Sequence, residues 1–173
     1  MEPWPRTAEE IVYKGDRTMA RRTYRRPDGE ATGYDVTLHG PGVSVLALTD
    51  DDRVVLTRQF RPGPERVMID IPSGFVDDGE DPAEAAAREL AEETGYEGTL
   101  SAVGRTTPNG YSTEVRHIFV AHACRRVRDQ TTAPDEDIEV FLASIDELRR
   151  LLRDDQLTVV DGTYLALDAL GRL

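Results

Sequence analysis

Residues 73–96, "SGFVDDGEDPAEAAARELAEETGY", combine the signals of a helix with a dense group of acidic side chains. Asp81 stands before Pro82 and three residues before Glu84, which is the pattern of an N-cap with proline at the first helical position and a capping-box partner. Gly95 is suited to end such a helix in a left-handed conformation. The stretch therefore predicts a helix over residues 82–94.

The predicted helix separates small residues from carboxylates. The small-residue face, suited to packing on a sheet, consists of Ala83, Ala86, Ala87, Leu90 and Ala91. Glu89, Glu92 and Glu93 lie on another face at spacings that bring like charges together, close to the helix C-terminus where negative charge is disfavoured. A charged helix face is usually just solvated. Here the crowding instead indicates an offsetting cation, and carboxylate oxygens suit Mg²⁺ or Mn²⁺.

Composition excludes several function classes. With 173 residues, of which 39% are hydrophobic, the chain is long enough for one packed domain with a small appendage. Its net charge of −12 argues against broad contact with a nucleic acid or an anionic membrane surface. Cys124 is the only cysteine and the N-terminus has no basic start or apolar run, so we expect a cytoplasmic protein without disulfides.

The rest of the chain predicts an N-terminal β segment followed by a mixed α/β domain. "TMARRTYRR" and "TGYDVTLHG" flank a "PDGE" turn, which is typical of a hairpin. Apolar strand patterns follow before and after the predicted helix, and two amphipathic helices close the chain. We therefore expect a β segment over residues 1–40 and the main domain over residues 41–173.

The acidic stretch resembles the Nudix box: glycine, five residues, glutamate, seven residues, Arg-Glu, an aliphatic residue, any residue, Glu-Glu, any residue, glycine and an aliphatic residue. Every fixed position before the last is present, namely Gly74, Glu80, Arg88, Glu89, Leu90, Glu92, Glu93 and Gly95. Tyr96 replaces the final aliphatic residue, at a packing position. The chain is thus similar to the Nudix hydrolase superfamily.

This resemblance implies a Nudix fold, an α/β/α sandwich with a mixed sheet, here with a small N-terminal antiparallel β segment. It implies that Glu89, Glu92 and Glu93, with the Ser73 carbonyl, hold Mg²⁺ or Mn²⁺ and form the catalytic centre. Glu80 is expected to pair with Arg88, while Gly74 and Gly95 serve the shape of the motif. The implied reaction is hydrolysis of a nucleoside diphosphate derivative by water attack on phosphorus.

Further stretches resemble ADP-ribose pyrophosphatases, including "GVSVLALTDDDRVVLTRQFR", "DIPSGFVDDGEDPAEAA" and "DEDIEVFLASIDEL". Carried over by position, the expected substrate-binding residues are Arg58, Arg61, Asp70 and Pro108. Arg58 is equally well explained as part of a solvated strand face. Asp70 stands where that group usually has glutamate, and "PNG" stands where "PGG" or "PGF" is more usual.

A late acidic loop supplies the expected general base. The resemblance places a glutamate there, and Glu136 is favoured because it precedes the apolar strand. The alternative is a polar turn without a role. A general base must lie within hydrogen-bond reach of the attacking water.

The leading hypothesis is a homodimeric, metal-dependent hydrolase that converts ADP-ribose to AMP and ribose 5-phosphate. The dimer is expected because the N-terminal segment buries little apolar surface alone, and the resembling enzymes pair through it. The first alternative is a hydrolase of another nucleoside diphosphate sugar. The second is a nucleotide-binding Nudix module without catalysis, which the fold alone does not exclude.

Overall fold

The computed structural model describes residues 1–131 and 137–173. The chain forms two compact units, Met1–Gly40 with Thr107–Val115, and Pro41–Thr106 with Arg116–Leu173. The strands are β1 Arg6–Lys14, β2 Thr18–Arg25, β3 Ala31–Leu38, β4 Gly42–Thr49, β5 Val54–Arg61, β6 Arg66–Asp70, β7 Ser73–Phe75, β8 Tyr96–Thr106, β9 Arg116–Arg126 and β10 Glu139–Ala143. The helices are α1 Pro82–Thr94, α2 Ile145–Arg153 and α3 Val160–Ala169.

The first unit is a three-stranded antiparallel sheet in the order β1-β2-β3. The predicted hairpin is confirmed as β2 and β3, and β1 adds a strand that the sequence pattern did not single out. Residues 107–115 bind along the end of β3, where the Thr37 N–H donates to the Tyr111 carbonyl at 2.9 Å and the Thr113 N–H donates to the Thr37 carbonyl at 3.0 Å. All nine residues of β1 are exposed within the single chain.

The second unit is built on a seven-stranded mixed sheet. Five strands follow the order β10-β5-β4-β9-β8, while β6 pairs with β5 and β7 pairs with β4. The pairing of β4 with β9 is parallel, and the other pairings are antiparallel. Because β4 pairs with β5 near its end and with β7 near its start, the chain segment that begins the acidic stretch is fixed at the centre of the sheet.

Hydrophobic side chains alternate between two cores, one on each face of this sheet. On β9, Ile118 and Val120 join the core under α2 and α3, whereas Phe119 and Ala121 join the core under α1. Cys124, which is 2% exposed, belongs to the α1 core, and burial raises the pKa of its thiol to about 11. The layers form the expected α/β/α sandwich with a mixed sheet, so the predicted fold class is confirmed.

Helix α1 begins and ends as predicted but faces the sheet differently. Asp81 accepts a hydrogen bond from the Ala83 N–H, Glu84 completes the capping box, and Gly95 ends the helix with φ 74°. The predicted packing face is wrong in two details. Ala87 is exposed while Ala85 is buried, and Glu93 lies on the buried stripe instead of the solvent face.

The physical reason for this orientation is the spacing of the core contacts. Ala86, Leu90 and Glu93 stand at i, i+4 and i+7, so packing Ala86 and Leu90 on the sheet carries Glu93 to the same side. None of the helices in the described part of the chain is long and apolar enough to cross a membrane.

Candidate active site

Arg88 links the loop before α1 to the helix carboxylates. Its Nε and Nη2 donate to the two carboxylate oxygens of Glu80 at 2.9 and 3.0 Å, and Nη2 also donates to the Phe75 carbonyl at 2.9 Å. Its Nη1 donates to Glu89 at 2.8 Å and to Glu92 at 3.2 Å. One guanidinium therefore contacts three carboxylates and one backbone carbonyl, more than the single Arg88–Glu92 pair that the helical spacing indicates.

The electrostatics of Arg88 follow from these contacts. The Arg88 hydrogen bond, with a further one from the Asp77 N–H, holds the pKa of Glu80 below its ordinary value. The neighbouring carboxylates, Glu80 first, raise the pKa of Arg88, so it stays charged. The pair of Glu80 and Arg88 implied by the Nudix resemblance is present, and it joins the loop to the helix.

Gly74 is required by close approach. It pairs with Val43 across β4 and β7, and a Cβ atom built on it would overlap the carboxylate of Glu89. A side chain at this position would therefore displace Glu89. Gly74 therefore leaves room for the Glu89 carboxylate, while its backbone lies in an ordinary strand pairing.

Glu93 is the most buried carboxylate of the acidic helix face, at 9% exposure. The Ser73 N–H donates to its Oε2 at 3.1 Å. Burial, together with the negative charges of Glu89 and Asp70, raises the pKa of Glu93 to about 8, although the Ser73 hydrogen bond and the charge of Arg61 act in the opposite direction. Two other carboxylates and one arginine thus lie within electrostatic reach of Glu93.

The carboxylates of this site differ from a formed metal site in arrangement but suit a divalent cation in chemistry. Within residues 1–131 and 137–173, no three His, Cys, Asp or Glu side chains are arranged so that they could hold a metal ion as they stand. The chemistry nevertheless fits, because Glu93 is a desolvated carboxylate beside Glu89, and a cation would favour the charged form of both. On binding the ion, Glu89 and Glu92 would release their hydrogen bonds to Arg88 and contact the ion instead. Glu80 would keep Arg88 in place.

Asp70 forms a buried network with Arg61 and Thr158. Asp70 is 1% exposed, and its Oδ2 accepts hydrogen bonds from Nε and Nη2 of Arg61. The Thr158 hydroxyl donates to Oδ1. Both oxygens of this carboxylate are therefore engaged within the protein. Thr158 carries no sequence signal that we recognised, because a threonine 88 positions from its partner has no local pattern.

Arg58 lies on the other face of β5 from the carboxylate cluster. Side chains alternate along the strand, so Thr57 faces the α1 layer and Arg58 faces the α2 layer. Arg58 pairs with Glu139 at 3.0 Å and its guanidinium lies 4.7 Å from the Phe141 ring centroid. The structure does not bring Arg58 to Glu93.

Two other predicted residues do not belong to the described part of the second unit. Pro108 belongs to the compact unit formed by Met1–Gly40 and Thr107–Val115. Glu136, the expected general base, lies outside the described residues. Their roles stay predictions.

Comparisons with known proteins identify the family. The NUDIX domain family matches residues 38–161. The methanol dehydrogenase activator of Bacillus methanolicus is 30% identical over 149 residues, covering 82% of this chain and 80% of that protein. The ADP-ribose pyrophosphatase of Bacillus subtilis (strain 168) is 32% identical over 142 residues, covering 80% of this chain and 76% of that protein.

A solved structure has the same fold. A crystal structure of an ADP compounds hydrolase superposes with a TM-score of 0.79 at 19% identity, covering 100% of this chain and 98% of the other. This likeness concerns the fold, and the family assignment rests on the sequence matches. The chain therefore belongs to the Nudix hydrolase family and is a Nudix pyrophosphatase.

Proposed function

We propose that this protein hydrolyses ADP-ribose to AMP and ribose 5-phosphate in a reaction that depends on Mg²⁺ or Mn²⁺. The observation that carries the proposal is the desolvated Glu93 on the buried side of α1, beside Glu89, within a Nudix box in which every fixed position before Tyr96 is present. The similarity to the ADP-ribose pyrophosphatase of Bacillus subtilis supports this choice of substrate.

Each side chain at this site has a proposed role. Glu93, Glu89 and Glu92, with the Ser73 carbonyl, would hold the divalent ion, which supplies charge neutralisation at the phosphate oxygens and a lowered pKa for the attacking water. The Ser73 N–H orients Glu93 through the 3.1 Å hydrogen bond. Arg88 keeps the loop that carries Glu80 against the helix. Glu136 is the proposed base that accepts the proton of the attacking water.

Arg61 is the proposed contact to the anionic substrate. Its side chain is 35% exposed while its partner Asp70 is buried, so part of the Arg61 side chain is open to solvent. An arginine suits phosphate recognition because its donors form a rigid fork. The set predicted from the sequence also contains Arg58, Asp70 and Pro108, of which Arg58 lies on the other face of β5 and Asp70 uses both carboxylate oxygens within the protein.

The remaining assignments concern the whole protein. We propose a homodimer that forms through residues 1–40, with residues 41–173 as the hydrolase domain. The exposed β1 strand, which carries Ile11, Val12 and Tyr13 at its surface, supports the dimer. A cytoplasmic location is proposed from the single, buried, free cysteine.

The test is a product assay with purified protein. ADP-ribose, other nucleoside diphosphate sugars, NADH and diadenosine polyphosphates are incubated with Mg²⁺, with Mn²⁺ or with EDTA, and products are separated by ion-exchange chromatography. We expect AMP and ribose 5-phosphate, formed fastest from ADP-ribose and only with metal. If another sugar nucleotide is hydrolysed faster, that compound replaces ADP-ribose as the proposed substrate. If the protein binds a ligand but hydrolyses none of these compounds, the proposal of an enzyme is replaced by that of a nucleotide-binding module.

A further inference from the structure

Arg61 and Asp70 of the network with Thr158 lie on the same face of the sheet, because side chains alternate between the two faces along β5 and β6. Thr57 pairs with Asp70 and Arg61 pairs with Arg66 across β5 and β6, so Arg61 and Asp70 project from the same face of this hairpin. Ile69, the neighbour of Asp70, belongs to the core under α2 and α3. Asp70 and Arg61 therefore lie on the face that carries α1.

Thr158 reaches this face by extending the outer edge of β6. The Ile69 N–H donates to the Gln156 carbonyl at 2.8 Å, and the Thr158 N–H donates to the Ile69 carbonyl at 3.2 Å. Leu157 forms the bridge to Ile69 and is buried in the same core. Thr158, the next residue, turns to the opposite face and donates its hydroxyl to Asp70.

A carboxylate held in this way is not available to a ligand. Asp70 is 1% exposed, Arg61 occupies Oδ2 and Thr158 occupies Oδ1. A buried charge needs such partners because burial removes its hydration. Arg61 in turn uses Nε and Nη2 for Asp70, so the direction of its side chain is fixed while Nη1 can donate elsewhere.

The network is also connected to the carboxylate cluster through the chain. Asp70 ends β6, and Ser73, whose N–H contacts Glu93, begins β7 three residues later. Ile71 between them is fully buried. The charges of Asp70 and Arg61 both act on Glu93, which agrees with their proximity.

We propose that Asp70 and Thr158 are positioning residues that hold the Arg61 guanidinium at the carboxylate cluster, where Arg61 contacts the diphosphate of the substrate. This inference rests on the proposed function, since it takes an anionic nucleotide as the ligand. It changes the expected role of Asp70, which acts through Arg61 and does not contact the ligand itself.

The test compares Thr158→Val with Thr158→Ser. Valine keeps the shape of threonine but removes the hydroxyl donor, so Asp70 loses one of its two partners and holds Arg61 less firmly. Serine keeps the donor. We expect Thr158→Val to raise KM for ADP-ribose about tenfold with kcat changed less than about twofold, the size expected for losing one hydrogen bond to a charged group. Thr158→Ser should restore KM to within about twofold of the wild type.

A double-mutant cycle separates positioning from simple stability. In the Arg61→Ala background, Thr158→Val should change KM no further, because its effect passes through Arg61. Thr163→Val is the matched control, since the buried Thr163 hydroxyl donates to the Val159 carbonyl and has no link to Asp70. It should lower the melting temperature and leave KM unchanged. An equal rise in KM from Thr158→Val with and without Arg61 would overturn the inference.

The dissociation constant of ADP-ribose in EDTA, measured by calorimetry, distinguishes this inference from the proposed function. If the wild type binds ADP-ribose but does not hydrolyse it, the proposed function fails, and the same pattern of variants in Kd still supports the role of Thr158. If Kd is the same for wild type, Thr158→Val and Arg61→Ala, the inference fails even when hydrolysis is observed. A wild type that neither binds nor hydrolyses ADP-ribose overturns both.

Discussion

At the scale of single residues, the buried carboxylate of Glu93 couples proton binding to stability. Burial raises its pKa to about 8 in the folded protein, compared with an ordinary value of 4.5. Between these values the folded state keeps a proton that the unfolded state releases. The contribution to stability is therefore complete below pH 4.5 and is lost as the pH rises through about 8.

We accordingly expect the metal-free protein to lose stability from pH 5 to pH 8, with a slope of at most about 1.4 kcal/mol per pH unit from this one group. Urea unfolding in EDTA at several pH values measures the slope. Glu93→Gln should flatten it, and Glu97→Gln, at an exposed position of β8, should leave it as in the wild type. A Glu93→Gln variant with the full slope would show that another group is responsible.

Gly74 provides a second prediction at this scale. Gly74→Ala places a methyl group against the Glu89 carboxylate and should lower kcat/KM on the order of 100-fold, as expected when a catalytic group is displaced. Gly63→Ala is the control, since a Cβ there meets nothing within 4 Å. Steady-state kinetics with ADP-ribose and Mg²⁺ measures both. Equal activities of the two variants would mean that Glu89 tolerates the shift.

The residue scale also shows which interactions sequence can predict. The Glu80–Arg88 pair follows from the Nudix resemblance. The three-carboxylate contact of Arg88 does not follow from helical spacing alone, because Glu80 lies on the loop before the helix; the Phe75 carbonyl, at the end of β7, is likewise outside the helix. Thr158 could not be assigned to Asp70, since their contact depends on where a distant loop meets the edge of β6.

At the scale of elements, the C-terminus of α1 depends on Gly95 for two separate reasons. Its φ of 74° disfavours any residue with a Cβ, and a Cβ built there would overlap the Arg128 carbonyl. Gly95→Ala should therefore destabilise the protein by more than the roughly 1–2 kcal/mol of the left-handed conformation alone. Gly171→Ala is the matched control, because φ is 63° there and nothing lies within 4 Å of the added carbon.

Urea unfolding of both variants gives the comparison, and the difference between them measures the close approach to Arg128. Equal losses would show that the Arg128 backbone moves away without cost.

The ends of α1 were predictable from sequence because caps are local patterns. Its orientation on the sheet was not, since the choice of Ala85 over Ala87 depends on the strands below it.

At the scale of the whole molecule, the exposed β1 strand predicts the oligomeric state. Ile11 and Tyr13 are 51% and 58% exposed, and a homodimer would cover them. Sedimentation equilibrium should give twice the 19.3 kDa chain mass for the wild type. Combined Ile11→Glu and Tyr13→Glu substitutions should shift it toward the monomer, because charge is excluded from a buried interface.

The control for the dimer carries the same charges on another exposed strand, Thr99→Glu with Ser101→Glu in β8. A wild type that sediments as a monomer contradicts the dimer. At this scale the α/β/α layers were expected from the Nudix resemblance, whereas the strand and helix patterns by themselves predicted a mixed α/β domain. The association of residues 107–115 with residues 1–40 could not be predicted, since it joins segments far apart in sequence.

The single cysteine gives this fold an internal reporter of its own opening. Cys124 is 2% exposed in the core beneath α1, and burial raises the pKa of its thiol to about 11, so the thiol of the closed protein is shielded and neutral. A thiol reagent can therefore label the native protein only through transient detachment of the α1 layer. A ligand held by the carboxylates of α1 would suppress that detachment by mass action. The rate of labelling therefore measures the occupancy of the site without catalytic turnover.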